Sequence, residues 1–394
     1  MADRPTFDAD NHYYEPRDCF TRHIEKEHAD LALRPATAPD GTGTIALGDR
    51  WLHFPVTHYD SASVPGIFQQ MYLRDDLTPE EIEAAREFKP LRPGDQDRTA
   101  RLAQMDQQGL DKTLLLPTLG VCWEYEIHDD TTALYANLRA FNRWLEDDWG
   151  FGGDGRLFGV PLLTLFDRDQ AVAEAERLLA AGARAFSLRP GPVDGRSVAD
   201  PYFDRFWSLV DEARVPVAFH VGDAGYADLF SSRWGEDPAP NVREMSLLQL
   251  SNFYCDRPIM DTLAACIAHN LFGRFPNVTL LSLEHGCMWV DYLLHAMDHA
   301  LKNFRRGPWL GGPIEGTPSE IFKAHVKVSP FPEEDVVGLV ELIGAENVLF
   351  GSDYPHPEGL ADPLDYAKSI DTLPEEQVRM VMHDNLDGVL ARAG

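Results

Sequence analysis

The sequence predicts an α/β protein, a closed (β/α)8 TIM barrel with a large insertion after strand 1 and an extended segment after strand 5. Three observations lead there. Short apolar runs alternate with longer amphipathic stretches along most of the 394 residues. Several of the runs are continuously apolar, as parallel strands covered on both faces require. Eight strand candidates alternate with helical stretches, and eight is the count for a closed ring.

The strand candidates are residues 6–12, 112–117, 157–163, 183–188, 216–221, 278–285, 325–329 and 348–353. Helical patterns cover 98–108, 132–148, 167–181, 201–213, 288–305 and 333–343. In the third of these, Val172, Ala175, Leu178 and Leu179 share a face, and Gly182 supplies the stop. The alternation is interrupted twice, at 13–97 and at 223–274, each time after a strand. Long connections at the strand ends of a barrel serve as lids or binding segments. Residues 1–394 are therefore read as one barrel domain, with 13–97 an inserted lid or cap.

Hydrophobic residues make up 44% and charged residues 25%, enough apolar content for a packed core. The balance of 35 basic against 64 acidic residues, −29 overall, disfavours phosphate backbones and anionic lipid as partners. No apolar run approaches the roughly 20 residues that span a bilayer, and the N-terminus lacks a secretory pattern. The expectation is a cytoplasmic protein with a small-molecule substrate, without nucleic-acid or membrane partners. The size of the insertion admits a homodimer. Cys19, Cys122, Cys255, Cys266 and Cys287 are dispersed, as suits buried thiols better than a disulfide framework.

The chemistry sits at the strand ends. The first strand closes with Asp8-Ala9-Asp10-Asn11-His12, where alternation puts Asp8, Asp10 and His12 on one side. A capped polar strand terminus would give the same residues. The fifth strand ends in His220 and the sixth in Glu284-His285-Gly286. A hydrogen-bonded core histidine is the ordinary explanation for either imidazole alone. The eighth ends in Ser352-Asp353, and a buried Asp needs a partner or a cation. Taken together, Asp10, His12, His220, His285 and Asp353 offer mixed imidazole and carboxylate donors, which suit zinc, iron or manganese alike.

These stretches resemble the amidohydrolase-2 branch of the amidohydrolase superfamily, which contains hydrolases and non-oxidative decarboxylases related to the aminocarboxymuconate semialdehyde and resorcylate enzymes. The likeness runs through Asp8–Pro16 and through Met105-Asp106-Gln107-Gln108-Gly109-Leu110-Asp111. It continues in Phe141-Asn142-Arg143-Trp144, in residues 200–207 and 216–222, and in Arg274-Phe275-Pro276-Asn277. It ends in residues 351–357 and Asp384-Asn385, and omits most of 13–97.

The resemblance implies a divalent metal held by Asp10, His12, His220 and Asp353. It implies for His285 either an acid–base role or ligation of a second ion. Binuclear relatives bridge two metals with a carboxylated Lys after the fourth strand. This chain has Ser187-Leu188-Arg189-Pro190 there, which favours one metal unless Glu15, Glu284 or Asp223 supplies a further carboxylate.

The implied activity is metal-assisted hydrolysis of an acyl bond (amide, ester or thioester) in a small organic substrate, aromatic or apolar, with Asp353 or His285 handling the proton. The alternative is non-oxidative decarboxylation of a small aromatic or unsaturated acid by the same ligands. A second alternative is an inactive barrel that binds or scaffolds. Arg189 and His356 are the candidate substrate contacts. Trp51, Phe54, Tyr59, Phe68 and Tyr72 give the insertion an aromatic character. His295 and His299 stand four apart on a helix but lack the Glu of a metalloprotease motif, and Ser352 is in no nucleophile elbow.

Overall fold

The computed structural model describes residues 4–393 except 40, 42, 54–58, 73, 75, 86, 242, 243, 254, 255 and 304–306. Phe54 and Cys255, and the side chain of Tyr72, lie outside the described residues.

The strands are parallel and follow one another around a ring. Phe7–Tyr13 pairs with Lys112–Pro117, which pairs with Leu157–Gly159. A five-stranded sheet then runs from Leu162–Leu163 through Phe186–Leu188, Val217–His220 and Leu280–Leu283 to Val326–Val328. The third strand is split where a single run was expected. Its first piece serves the second strand and its second piece the fourth. Val160 N–H donates to Leu115 and the Pro161 carbonyl accepts from Ser187, both at 2.9 Å. Proline has no N–H, so the ladder changes partner there.

Residues 348–354 close the ring through single bridges, Val328 to Val348 and Asn11 to Tyr354. Leu349 N–H donates to Val328 at 2.9 Å, Ala9 N–H to Phe350 at 2.8 Å, and Asp353 N–H to Asp10 at 2.7 Å. This is the α/β barrel expected from the alternation of apolar and amphipathic stretches.

Two apolar layers hold it. Inside the ring, Phe7, Ala9, Leu114, Leu116, Val160, Ala185, Ala218, Leu281, Leu283 and Leu349 touch one another, with Leu386 and Leu390 of the last helix. Outside it, Leu115, Phe186, Val217, Phe219, Val328 and Phe350 pack against the helices. Several helices begin at an Asp whose side chain accepts from the first turn: Asp97 before Arg98–Gln108, Asp130 before Thr131–Asp148, and Asp167 before Arg168–Ala180. None of the described helices is long and apolar enough to cross a membrane.

Residues 13–97 carry structure that their weak periodicity did not reveal. Leu33–Thr37, Gly43–Leu47 and Arg50–Trp51 form an antiparallel sheet, and Ser61–Ala62 pairs with Lys89–Pro90. The insertion touches the strand-end side of the ring. Gly66 N–H donates to the His356 carbonyl at 3.1 Å, and Phe68 N–H to that of Pro357 at 2.7 Å. Of its aromatics, Tyr59 is buried in the outer core and Trp51 is exposed. Residues 223–274 hold the helices Tyr226–Leu229, Leu247–Phe253, Asp256–Ala268 and Leu271–Arg274.

Candidate metal centre

The first strand does not alternate to its end. Its register shifts between Asp8 and Asn11, and this bulge separates carboxylates expected on one side. Asp8 turns away from the cluster. It accepts from the Ser352 hydroxyl at 2.5 Å and from the Ser352 N–H and the Asn11 amide at 3.0 Å each. Burial still pushes it up to about 7 against these bonds. Asp10 and His12 turn inward. The strand end is braced by the buried Arg101 guanidinium, which donates to the His12 carbonyl and to Gly94, both at 2.6 Å.

His12 and His220 are oriented in the same way. Nδ1 of His12 lies 3.2 Å from the Pro117 carbonyl, and Nδ1 of His220 lies 2.8 Å from that of Val221. A carbonyl can only accept, so each Nδ1 carries the hydrogen and each Nε2 is left to face inward. The two Nε2 atoms stand 3.2 and 3.1 Å from the same oxygen, Oδ1 of Asp10. Glu284 Oε2 is 3.1 Å from His220 Nε2 and 3.7 Å from that of His12, and Asp353 Oδ1 is 3.4 Å from His12 Nε2.

Two overlapping sets result: Asp10, His12, His220 and Glu284, then His12, Glu284, Asp353 and His356, each with one donor atom per residue within 4.8 Å of the others. Buried lone pairs facing buried carboxylate oxygens are the arrangement a divalent cation would satisfy, so this donor set fits one. Its electrostatics agree. Burial opposes the charge on Asp10, yet His220 and His12 hold it below the usual carboxylate range. Burial also opposes charge on His220, but Asp10 and Glu284 drive that imidazole well up. Burial, then Glu284 and Glu358, raises Asp353 far above its ordinary value. Burial, then the His356 ring, lowers His12 to about 3.

Glu284 stands where His285 was expected to stand. Leu281 and Leu283 face the interior, and continued alternation would bring His285 in next. The backbone instead turns left-handed at Glu284, with φ 55, and again at Gly286. That turn carries the Glu284 carboxylate to the cluster and leaves His285 outside both sets. Its ring is buried, its Nδ1 has no hydrogen-bond partner among the described residues, and burial followed by the nearby His220 charge lowers it to about 3. Asp353 also has a left-handed backbone, φ 53, at a cost on the order of 1 kcal/mol.

The candidate substrate contacts are more engaged than a free recognition group would be. The Arg189 guanidinium donates to the carbonyls of Pro190, Ala224 and Pro192 at 2.7–3.0 Å. Its Nε has no hydrogen-bond partner among the described residues and lies 3.6 Å from Oε1 of the half-buried Glu124. His356 bonds Asp353 Oδ1 through Nδ1 at 2.6 Å and the Thr118 hydroxyl through Nε2 at 2.9 Å. Glu124 and Thr118 had no motif to mark them. Both lie on the turn after the second strand, and only the fold brings them here.

A small space beside His220 is bounded by Arg189, Glu124, Ser187 and Gly222. A larger cavity, about 240 Å³, is lined by Tyr125, Met245, Pro238 and Pro240 together with Arg50 and Asp223. Tyr125 joins the two, since its ring lies 5.2 Å from the Arg189 guanidinium carbon.

Comparison with known proteins agrees with this geometry. The amidohydrolase family model matches residues 49–385. An amidohydrolase from Mycobacterium avium subsp. paratuberculosis K-10 is 33% identical, with 98% of this chain and 99% of that one covered at a TM-score of 0.88. The 5-carboxyvanillate decarboxylase of Sphingomonas paucimobilis shares the fold at 20% identity, over 82% of this chain and 93% of that one, TM-score 0.57. That of Novosphingobium aromaticivorans, solved with bound manganese and 3-methoxy-4-hydroxy-5-nitrobenzoic acid, shares it at 14%, over 99% and 98%, TM-score 0.63. No curated protein matches the chain. With imidazoles and carboxylates gathered at the strand ends of an α/β barrel, and a family match over most of its length, this chain belongs to the amidohydrolase family.

Proposed function

We propose that this protein is a metal-dependent hydrolase that cleaves an acyl bond, amide, ester or thioester, of a small uncharged organic substrate. Residues 1–394 act as one unit in this reading, and residues 13–97 cap the strand ends. Asp10, His12, His220 and Asp353 hold a single divalent cation, with Glu284 as a fifth donor. The two donor sets share His12 and Glu284, which supports one ion over two. Oxygen and imidazole donors together suit manganese, iron or zinc. When bound, the ion supplies Lewis acidity, polarising a carbonyl and making water a stronger acid.

The chain supplies the rest. With a cation balancing the crowded carboxylates, Asp353 is ionised and accepts a proton from the attacking water as the new C–O bond forms. It then returns that proton to the departing nitrogen, oxygen or sulfur as the old acyl bond breaks. His356 holds the Asp353 carboxyl in place through this exchange. Arg189 Nε and Glu124 offer a polar contact beside His220, and the cavity around Tyr125 and Met245 receives the apolar part of the substrate.

One observation carries the preference for an uncharged substrate: the charges around the site are negative or already paired. Asp10, Glu284 and Asp353 crowd the centre, and the Arg189 fork is occupied by backbone carbonyls. A substrate carboxylate would find little besides the ion to balance it. Decarboxylation remains the second reading because several structures of the same fold are decarboxylases, among them one with manganese and an aromatic acid bound.

The discriminating experiment loads the protein with manganese or zinc and offers aryl esters, thioesters, anilides and hydroxybenzoates. Acid release from the uncharged acyl compounds is expected. Carbon dioxide from the hydroxybenzoates without acyl turnover would replace the hydrolytic reading with the decarboxylative one. A purified protein that retains no metal and turns over nothing would point to the scaffold.

A further inference from the structure

We propose that Thr118 is a positioning residue for Asp353, acting through His356. The inference rests on the reading of Asp353 as the carboxyl that moves the proton. Thr118 follows the second strand directly, and its hydroxyl has one hydrogen to give. The Tyr13 carbonyl takes it at 2.7 Å. The Thr118 oxygen can therefore only accept from its other neighbour, Nε2 of His356, at 2.9 Å. So Nε2 carries a hydrogen.

On its other side His356 meets Asp353. Nδ1 lies 2.6 Å from Asp353 Oδ1, a separation at which a hydrogen must lie between the two atoms. A carboxyl whose backbone is left-handed is thus tied to a fixed point on the first strand, by way of Asp353, His356, Thr118 and the carbonyl of Tyr13. The His356 ring is also packed against that of His12, with centroids 4.0 Å apart and the planes tilted by 30°. With both nitrogens engaged, His356 is a brace for the donor set and not a ligand within it.

Without the hydroxyl, Nε2–H loses its acceptor, the imidazole is free to exchange tautomers, and Asp353 Oδ1 loses its fixed partner. A partner of this kind is worth about 10–100-fold in metal affinity or turnover.

The test uses nitrogen-15 NMR of the His356 ring, in metal-free and metal-loaded full-length protein, for wild type, Thr118→Ser and Thr118→Val. The expected result is a protonated Nε2 in wild type and in Thr118→Ser, and a mixture of tautomers in Thr118→Val. In parallel, kcat for an aryl ester falls about tenfold in Thr118→Val, with KM within about twofold, and recovers in Thr118→Ser. Should Thr118→Val fail to fold, Thr118→Ala serves in its place. An unprotonated Nε2 in wild type overturns the proposal, as does an unchanged His356 signal in folded Thr118→Val. Wild type without ester turnover would sink the hydrolytic reading alone, because the ring signals still decide whether Thr118 sets the His356 hydrogen.

Discussion

The strand-end cluster and the neighbouring Tyr125 cavity are built on opposite electrostatic plans. In the cluster, Asp10, Glu284 and Asp353 crowd together with only imidazoles to answer them. In the cavity wall the charges are largely matched within the chain. Arg50 pairs with Asp129 at 2.8 Å, His53 with Glu126 at 2.9 Å, and the Tyr125 hydroxyl donates to Asp228 at 2.9 Å. The cluster's donors suit a positive charge. The cavity wall, its charges matched, discriminates by shape.

The strongest way to break this contrast is at the cluster. His220→Ala should reduce bound metal from about one ion per chain to less than a tenth and lower turnover by at least about a thousandfold, read by elemental analysis beside an acyl-hydrolysis assay. Full metal content in that variant would refute the donor set. Chelation of the wild type should lower its melting temperature, with recovery on adding back manganese or zinc, since an ion that binds only the folded chain stabilises it.

Gly351 sharpens the same side of the comparison without touching a donor. A Cβ there would lie 2.8 Å from that of Asp10 and would collide with the Ser329 hydroxyl. Gly351→Ala should cost about 2 kcal/mol in denaturant melts and loosen metal binding with it. Unchanged stability would mean that the first and last strands approach less closely than described.

A smaller effect separates a buried charge outside the cluster from those within it. Glu15 Oε1 accepts from the Leu119 and Gly120 N–H groups, and burial raises the carboxyl from 4.5 to about 7 despite them. Between those values the folded chain keeps a proton that the unfolded chain has released, so stability falls as pH rises through the window. Glu15→Gln retains the acceptor and removes the titration. Its stability relative to wild type should therefore climb from pH 4.5 to 7, by on the order of 2 kcal/mol, and level off above. A flat difference across chemical melts in that range would rule out the raised carboxyl.

The smallest change belongs to the cavity. Tyr125→Phe removes the bond to Asp228 and should move KM for apolar acyl substrates about threefold, with kcat nearly constant and metal content unaffected. A loss of metal would merge the two regions and undo the contrast.

Much of this was readable in advance, for identifiable reasons. Parallel strands covered on both faces leave unbroken apolar runs, so the barrel and the strand ends bearing Asp10, His12, His220 and Asp353 could be located by pattern. What pattern could not supply were departures from regular geometry. The bulge that turns Asp8 away and the left-handed turn that exchanges His285 for Glu284 each depend on one residue's backbone, which alternation does not encode. The sheet within residues 13–97 was hidden by its short strands, one of them carrying Pro35. Thr118 was invisible for another reason: a lone Thr after a strand acquires meaning only from the Tyr13 carbonyl and the His356 ring on either side of it.

The split at Val160-Pro161 has a mechanical corollary. It divides the wall into two arcs, and residues 348–354 form the other seam. Asp10 and His12 belong to the shorter arc, His220 and Glu284 lie at the rim of the longer one, and Asp353 sits on the seam. Whatever ion occupies their midst would work as a clasp across both joints, so emptying it should let the wall breathe there first, with amide exchange quickening at Ala9 and Asp353 before it does at Ala218 or Leu281.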